Sequence, residues 1–306
     1  MQWFFIALAA PILWAFVNLA DKYLVTRFSH KEEEHSSGGL VLFSSLIGIF
    51  IAFFIWIFIP DVFSISVLDK LLLFTCGILT IVWIVLYLFA LEIEEISSVV
   101  PWFLSVPVFG YILGFFFLKE TLTFSQFIGS GIIFLGLILI SLDFSKEKKK
   151  FKHKPVLYML FACIAVAISG VIFKYVTVGN NFWVSSFWEY FGLGITGLLI
   201  FFFIPHYRKS FFHMNKTGGY TIFIVNTVSE LMSIAGNLLT NFALLLAPVA
   251  LVYLVSSFQP AIVLFLTLFS TKFFPNLVKE NLEKRMLLPK IIAIAIMIVG
   301  SVILFL

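Results

Sequence analysis

A twenty-residue pattern occurs twice in this chain. ALEIEEISSVVPWFLSVPVF, from Ala90 to Phe109, returns as ALLLAPVALVYLVSSFQPAI, from Ala243 to Ile262, at a shift of 153. The shift lays Ile96 on Val249, Val99 on Val252 and Pro107 on Pro260. In each copy one apolar helix ends, a very short turn follows, and a second apolar helix begins that carries a proline partway along. Self-similarity at a fixed period means that one structural unit has been built twice. The first helices of the two units agree as well. ADKYLV from Ala20 matches IFKYVT from Ile172 at a shift of 152, placing Lys22 on Lys174 and Tyr23 on Tyr175.

Each unit is made of long apolar runs. A helix needs about 20 mostly apolar residues to cross a bilayer, and ten such runs occupy roughly 3–24, 39–59, 70–91, 96–118, 124–142, 156–178, 184–205, 220–245, 249–271 and 288–306. At 61% hydrophobic and 12% charged residues, with 40 Phe, the chain is far from the composition of a soluble domain. The expected fold class is therefore an all-α polytopic membrane protein. Its ten transmembrane helices form two five-helix repeats, 1–144 and 155–306, joined by a basic linker at 145–154. Five is odd, so the second repeat enters the membrane upside down relative to the first, as an inverted repeat. The opening MQWFFIALAAPILWAF lacks a basic n-region and a clear cleavage site and is taken as the first span. Cys76 and Cys163 fall inside spans, where a free Cys behaves as a small hydrophobe, and no disulfide is expected.

Basic residues cluster in the loops after spans one, five, seven and nine, 17 Lys and Arg against two (Lys70 and Lys119) on the other side. Because Lys and Arg collect on the cytoplasmic side, this bias places both termini outside the cell. The linker SKEKKKFKHK, Ser145 to Lys154, suits anionic headgroups. Nucleic-acid binding needs a soluble basic face with aromatics, and the chain has none. HKEEEH, His30 to His35, is too loosely spaced for a metal site and is expected to be a solvated loop.

The run from the Val-Val-Pro and Pro-Val-Phe segments into LKETLTFSQFIGSGIIFLGLILIS, Leu118 to Ser141, resembles the EamA domain of the drug/metabolite transporter superfamily. Pro107, the pair Lys119-Glu120, and Gln126, Gly129 and Gly136 carry the resemblance, together with WAFVNLADK from Trp14. In the second half it holds through Pro260; the counterpart pair Lys279-Glu280 comes seven residues late, and Pro289 stands at the Gly129 position. The resemblance implies a transporter fold with both termini in the cytoplasm, opposite to the charge bias, which is retained here. It also implies a small polar or amphipathic solute.

The strongest site signal lies in the eighth span. Asn226, Glu230, Ser233, Asn237 and Asn241 follow steps of 4, 3, 4 and 4 and share one helix face. Lipid cannot satisfy such groups, so the face turns to the bundle interior or to a wet cavity. The corresponding positions of the third span are Leu73, Gly77, Thr80, Ile84 and Leu88, so the polarity is not required by the repeated fold. Interhelical hydrogen bonds would account for the three Asn equally well; Glu230 is more costly to bury without a role. Trp14 and Asn18 share a face of the first span with Asp21, which is assigned to the membrane boundary, where snorkelling makes charge inexpensive. Tyr253 and Gln259 in the ninth span complete the expected substrate-binding set, with Trp83, Tyr87, Trp102 and Ser256 behind them. Lys174 and Glu189 lie at similar distances from the turn at Gly179–Phe182 and are expected to form an ion pair, structural or gating. Gly110 with Gly114, and Ser44 with Gly48, suit close helix crossing.

No GxSxG, phosphate loop or HExxH occurs, and all five His lie in loops, so no enzyme is indicated. The expected function is a secondary transporter in a bacterial-type plasma membrane, moving a small metabolite by alternating access. The alternatives are a flippase or scramblase for lipids or lipid-linked sugars, and a non-transporting scaffold. The partners implied are a small-molecule solute, a coupled proton or cation, and membrane lipids, with a homodimer compatible. Neither cofactor nor metal is expected.

Overall fold

The computed structural model describes residues 2–28, 37–121, 123–140, 142–143, 150–151, 153–274, 276–278 and 283–305. Ten helices carry them. These are α1 Gln2–Phe28, α2 Gly38–Phe58, α3 Val67–Ile93, α4 Ile96–Leu118, α5 Phe124–Ile140, α6 His153–Thr177, α7 Phe182–Phe203, α8 Pro205–Leu246, α9 Val249–Phe273 and α10 Lys284–Phe305. Leu142–Asp143 and Lys150–Phe151 pair antiparallel as β1 and β2, joining the two halves beside the linker. Most of the linker, the HKEEEH segment and Lys279-Glu280 lie outside the described residues.

Nine of these helices are long and apolar enough to cross a membrane among the described residues. The exception is α5, whose 17 residues span about 26 Å at the α-helical rise, short of a hydrocarbon core of about 30 Å. Large apolar side chains such as Phe50, Phe53, Phe116, Phe117, Phe202 and Phe203 point outward. An aqueous surface would not tolerate such a belt; lipid requires it. The protein is a multi-pass membrane protein.

Local sequence sets the helix ends. Ser66 caps α3 by accepting from the Asp69 amide at 3.1 Å, and Asn181 caps α7 by accepting from the Trp183 amide at 2.8 Å. The two copies of the repeated pattern share a further break. Pro107 and Pro260 supply no N–H and crowd the carbonyl four residues back, so the chain passes through 3-10 turns just before them, at Val100–Ser105 in α4 and Ser256–Phe258 in α9. Lys119 ends α4 in the left-handed region, φ 57°. That conformation costs a non-glycine residue about 1–2 kcal/mol, and here it turns Glu120 back over the helix end.

One expectation is revised in α8. The segment before residue 220 is not a loop: helix begins at Pro205 and runs to Leu246, bent at Gly219, whose φ of 61° and ψ of −161° no other residue type adopts readily. The folded-back piece packs on α2, with Ser210 accepting from the Gly39 amide at 3.1 Å.

The helices of the two halves interleave. Under the exchange of α1–α5 with α6–α10, α3 packs on α6 as α8 packs on α1, and α3 on α7 as α8 on α2. Likewise α4 packs on α6 as α9 on α1, while α2 with α7, α4 with α9 and α5 with α10 pair across the exchange itself. Most helices therefore take their chief neighbours from the opposite half.

Candidate functional site

The helices around the exchange axis leave a cavity of about 110 Å³. From α1 it receives Trp14, Asn18 and Asp21; from α2, Leu40 and Ser44; from α3, Trp83 and Tyr87. The second half supplies Glu230, Ser233, Asn237 and Thr240 from α8, and Tyr253, Ser256 and Gln259 from α9. Among the described residues, the lining holds two carboxylates and no Lys, Arg or His.

A hydrogen-bond chain crosses it. Gln259 donates through Nε2 to Asn18 Oδ1 at 2.7 Å, and Asn18 donates through Nδ2 to the Tyr87 hydroxyl at 2.7 Å. The chain thus ends at Tyr87, which lines the cavity together with Asp21. On the far wall the Ser44 hydroxyl donates to Glu230. Asp21 and Glu230 are close enough to repel one another, and a cation between them would relieve that repulsion. Trp14, Trp83, Tyr87, Phe103 and Tyr253 line the same cavity, and the faces of aromatic rings attract cations.

Of the expected binding residues, Trp14, Asn18, Glu230, Ser233, Asn237, Tyr253 and Gln259 line this cavity, and Asn226 and Asn241 do not. The α8 stripe is divided among three tasks. Asn226 is buried where the folded-back segment of α8 returns, its Nδ2 3.7 Å from Met214 Sδ. Asn241 lies behind the wall and donates to Glu189 Oε2 at 2.8 Å. The remaining members face the cavity.

The Lys174–Glu189 ion pair is not formed. α6 and α7 touch only slightly, because α6 packs on α3 and α7 on α2 and α3. Lys174 instead bonds Glu120 at 3.0 Å and the Ala247 carbonyl at 2.7 Å, and Glu120 accepts from the Val249 amide at 3.3 Å. A related arrangement recurs one repeat earlier, where Lys22 bonds the Leu91 and Glu94 carbonyls at 2.6 and 2.7 Å. Two lysines matched by the repeat thus each hold the C-terminal end of a matched helix, α8 and α3, where the carbonyl dipoles favour a cation.

Two cavity groups escaped the sequence assignment. Asp21 was placed at the membrane boundary, but α1 continues to Phe28 and Asp21 faces inward. Ser44 has the look of a packing residue, yet it bonds Glu230. A carboxylate one turn beyond Asn18 on the Trp14 face was the available signal for Asp21; Ser44 gave none.

Comparison with known proteins agrees with this architecture. Residues 1–142 match the EamA-like transporter family, so the first half of the chain is similar to an EamA-like domain. No curated protein matched the chain in sequence. A protein of known crystal structure is similar in fold, with a TM-score of 0.62 at 12% identity over 99% of this chain and 96% of that one. The likeness therefore extends across both halves, and at that identity it is a likeness of fold. The chain is a transporter-like membrane protein.

Proposed function

We propose that this protein is a secondary carrier that moves a small organic cation, such as an amine or quaternary ammonium compound, by alternating access between two inverted repeats in the plasma membrane. The observation that carries this reading is the lining of the cavity: Asp21 and Glu230 with five aromatic residues and, among the described residues, no basic side chain. Carboxylates accept charge-assisted hydrogen bonds from an ammonium group, and the aromatic rings attract the same charge through their faces. The size supports a small solute, since drug-sized ligands occupy pockets of roughly 300–1,000 Å³ and this one is about 110 Å³. Asn18, Asn237, Ser233 and Gln259 orient the polar remainder of the solute.

The test is uptake into proteoliposomes of radiolabelled choline and putrescine, beside glucose and succinate. Saturable uptake of the cations, lost in Glu230→Gln protein that elutes as a single folded species, is the expected result. Uptake confined to the neutral or anionic solutes would remove this proposal.

A further inference from the structure

Between α7 and the spanning part of α8, the second half carries something that the first lacks. The tripeptide Phe-Ile-Pro ends α2 at 58–60 and α7 at 203–205, a shift of 145, whereas the pattern after α3 and α8 repeats at 153. The second half has therefore gained eight residues here. In the first half the join is a single 3-10 turn, Pro60–Phe63, with Asp61 in it. In the second it is the folded-back helix of residues 205–218. Met214 Sδ lies 3.7 Å from Asn226 Nδ2, although twelve residues of straight helix would separate the two positions by about 18 Å. The segment is thus turned back onto neighbouring helix ends. Gly38 and Gly39, at the start of α2, make room for it. A Cβ on Gly38 would lie 2.5 Å from the Tyr207 ring, and one on Gly39 3.0 Å from the Ser210 carbonyl oxygen. Phe211 meets Phe43 of α2 and Phe201 of α7, with ring centroids 6.4 and 6.5 Å apart.

At 100° per residue, Tyr207, Ser210, Phe211 and Met214 share the face that packs inward, and Arg208, Lys209, Phe212 and Lys216 share the opposite one. Lys209 and Lys216 are exposed, and Phe212, which projects between them and Arg208, is 56% exposed. Arg208 lies over the Phe201 ring at 5.9 Å. No Asp or Glu occurs in the sequence between Glu189 and Glu230. The carboxylate of α3 that reaches this region, Glu92, lies beside Tyr207 on the inward face and accepts from the Ser37 amide at 2.8 Å. Phe202, Phe203 and Ile204, just before the segment, belong to the outward-facing apolar belt. An occupant of this surface must offer negative charge to the lysines and apolar chains to the neighbouring rings. A soluble acidic protein meets the first need and leaves the rings in water; an anionic phospholipid meets both. We propose that residues 205–218 form an interfacial helix that binds anionic phospholipid, with Lys209 and Lys216 on the headgroup phosphates and Phe212 in the acyl boundary. Lipid held there also fixes the first turn of α2 through the Gly39–Ser210 bond, and α2 carries Leu40 and Ser44 into the cavity wall. None of this depends on which solute the cavity takes.

The test is a titration of phosphatidylglycerol into the purified full chain in dodecyl maltoside, read as the thermal midpoint, beside the same titration with phosphatidylcholine. Phosphatidylglycerol should raise the midpoint saturably and phosphatidylcholine should not; equal effects of the two lipids overturn the proposal. In a Lys209→Gln/Lys216→Gln protein the half-maximal phosphatidylglycerol concentration should rise about 25-fold, since each Lys near an anionic surface is worth roughly a factor of five. The midpoint without lipid should stay within a degree or two of wild type, because both side chains are exposed. The linker lysines are the rival site: a Lys146→Gln/Lys148→Gln/Lys149→Gln protein should keep the wild-type response. If the linker variant loses the response and the double variant keeps it, the surface is wrongly assigned. Glycerol phosphate or polyglutamate that reproduces the lipid effect would assign the segment to a soluble anion or an acidic partner instead, and overturns the membrane reading. A second readout needs no variant. A photoactivatable phosphatidylglycerol carrying its reactive group at the headgroup should label peptides from residues 205–218, and labelling confined to other peptides refutes the proposal.

Discussion

Helices α3 and α8 occupy matching places in the two repeats and have been put to opposite uses. α3 meets α7 along a seam in which Gly77 and Gly192 bring backbone against backbone. A Cβ on Gly77 would lie 2.2 Å from the Leu193 nitrogen, and one on Gly192 2.4 Å from the Phe74 carbonyl oxygen. α8 meets α2 in the equivalent way, but at the position matching Gly77 it carries Glu230, which reaches Ser44 and faces the cavity. One interface is closed by the absence of side chains, and the other is held apart by polar ones. Repetition has preserved how helices pack while leaving the chemistry free to settle on one side. The polar α8 interface is accordingly the place where the bundle leaves a cavity.

Gly77→Val is expected to have the largest effect on this contrast. Backbone on both sides blocks the new side chain, and overpacking of this kind costs about 3 kcal/mol or more. The yield of monodisperse protein and its thermal midpoint should collapse, whereas Glu230→Ala at the matching position should leave both unchanged or improved. A Gly77→Val protein as stable as wild type would erase the distinction between seam and cavity.

Next come the carboxylates themselves. Glu230→Gln and Asp21→Asn should each lower choline affinity by about 10- to 100-fold, the equivalent of about 1.5–3 kcal/mol for a hydrogen bond to a charged group. Isothermal titration measures this, and the stripe in α3 offers the control: Thr80→Val should change affinity less than threefold, since Thr80 only back-bonds its own helix through the Cys76 carbonyl.

The lysine latches sharpen the comparison at the helix ends. Lys174→Met should lower stability by about 1–3 kcal/mol, a discounted figure for a pair whose side chains are each 15% exposed. Adding Glu120→Gln should recover part of that loss, because the first change alone strands a carboxylate. Thermal unfolding of the two single variants and the double variant gives the coupling, and a value of zero would mean that the pair does not act as a unit. Ser44→Ala should have the smallest effect, about 1 kcal/mol or a few-fold in choline affinity, from the loss of one hydrogen bond to Glu230.

Much of this arrangement was legible in the sequence because it follows from local rules. Apolar runs gave the spans, the repeated pattern gave the short turns at 94–95 and 247–248, and Pro107 and Pro260 marked the breaks within α4 and α9. The spacing of the polar residues in α8 identified a cavity wall, since only a helix face that avoids lipid can carry Glu230, Ser233 and Asn237. What could not be read depends on which helices become neighbours. The Lys174–Glu189 pairing assumed that consecutive helices lie side by side, but interleaving sends α6 to α3 and α7 to α2. Asn241 and Asn226 belong to the same stripe as Glu230, yet one meets Glu189 and the other a segment that Gly219 folds back. Ser44 looks identical in sequence whether it packs or bonds a carboxylate.

The exchange of partners between halves has a consequence for how the molecule comes to exist. Neither set of five helices can close a bundle on its own, because the surfaces it would need belong to the other set. The chain is in effect an obligate heterodimer written as one polypeptide, its stoichiometry fixed by the junction at β1 and β2. Two subunits that can never meet a wrong partner or be made in unequal amounts are free to diverge: one keeps its glycines, and the other acquires the charge.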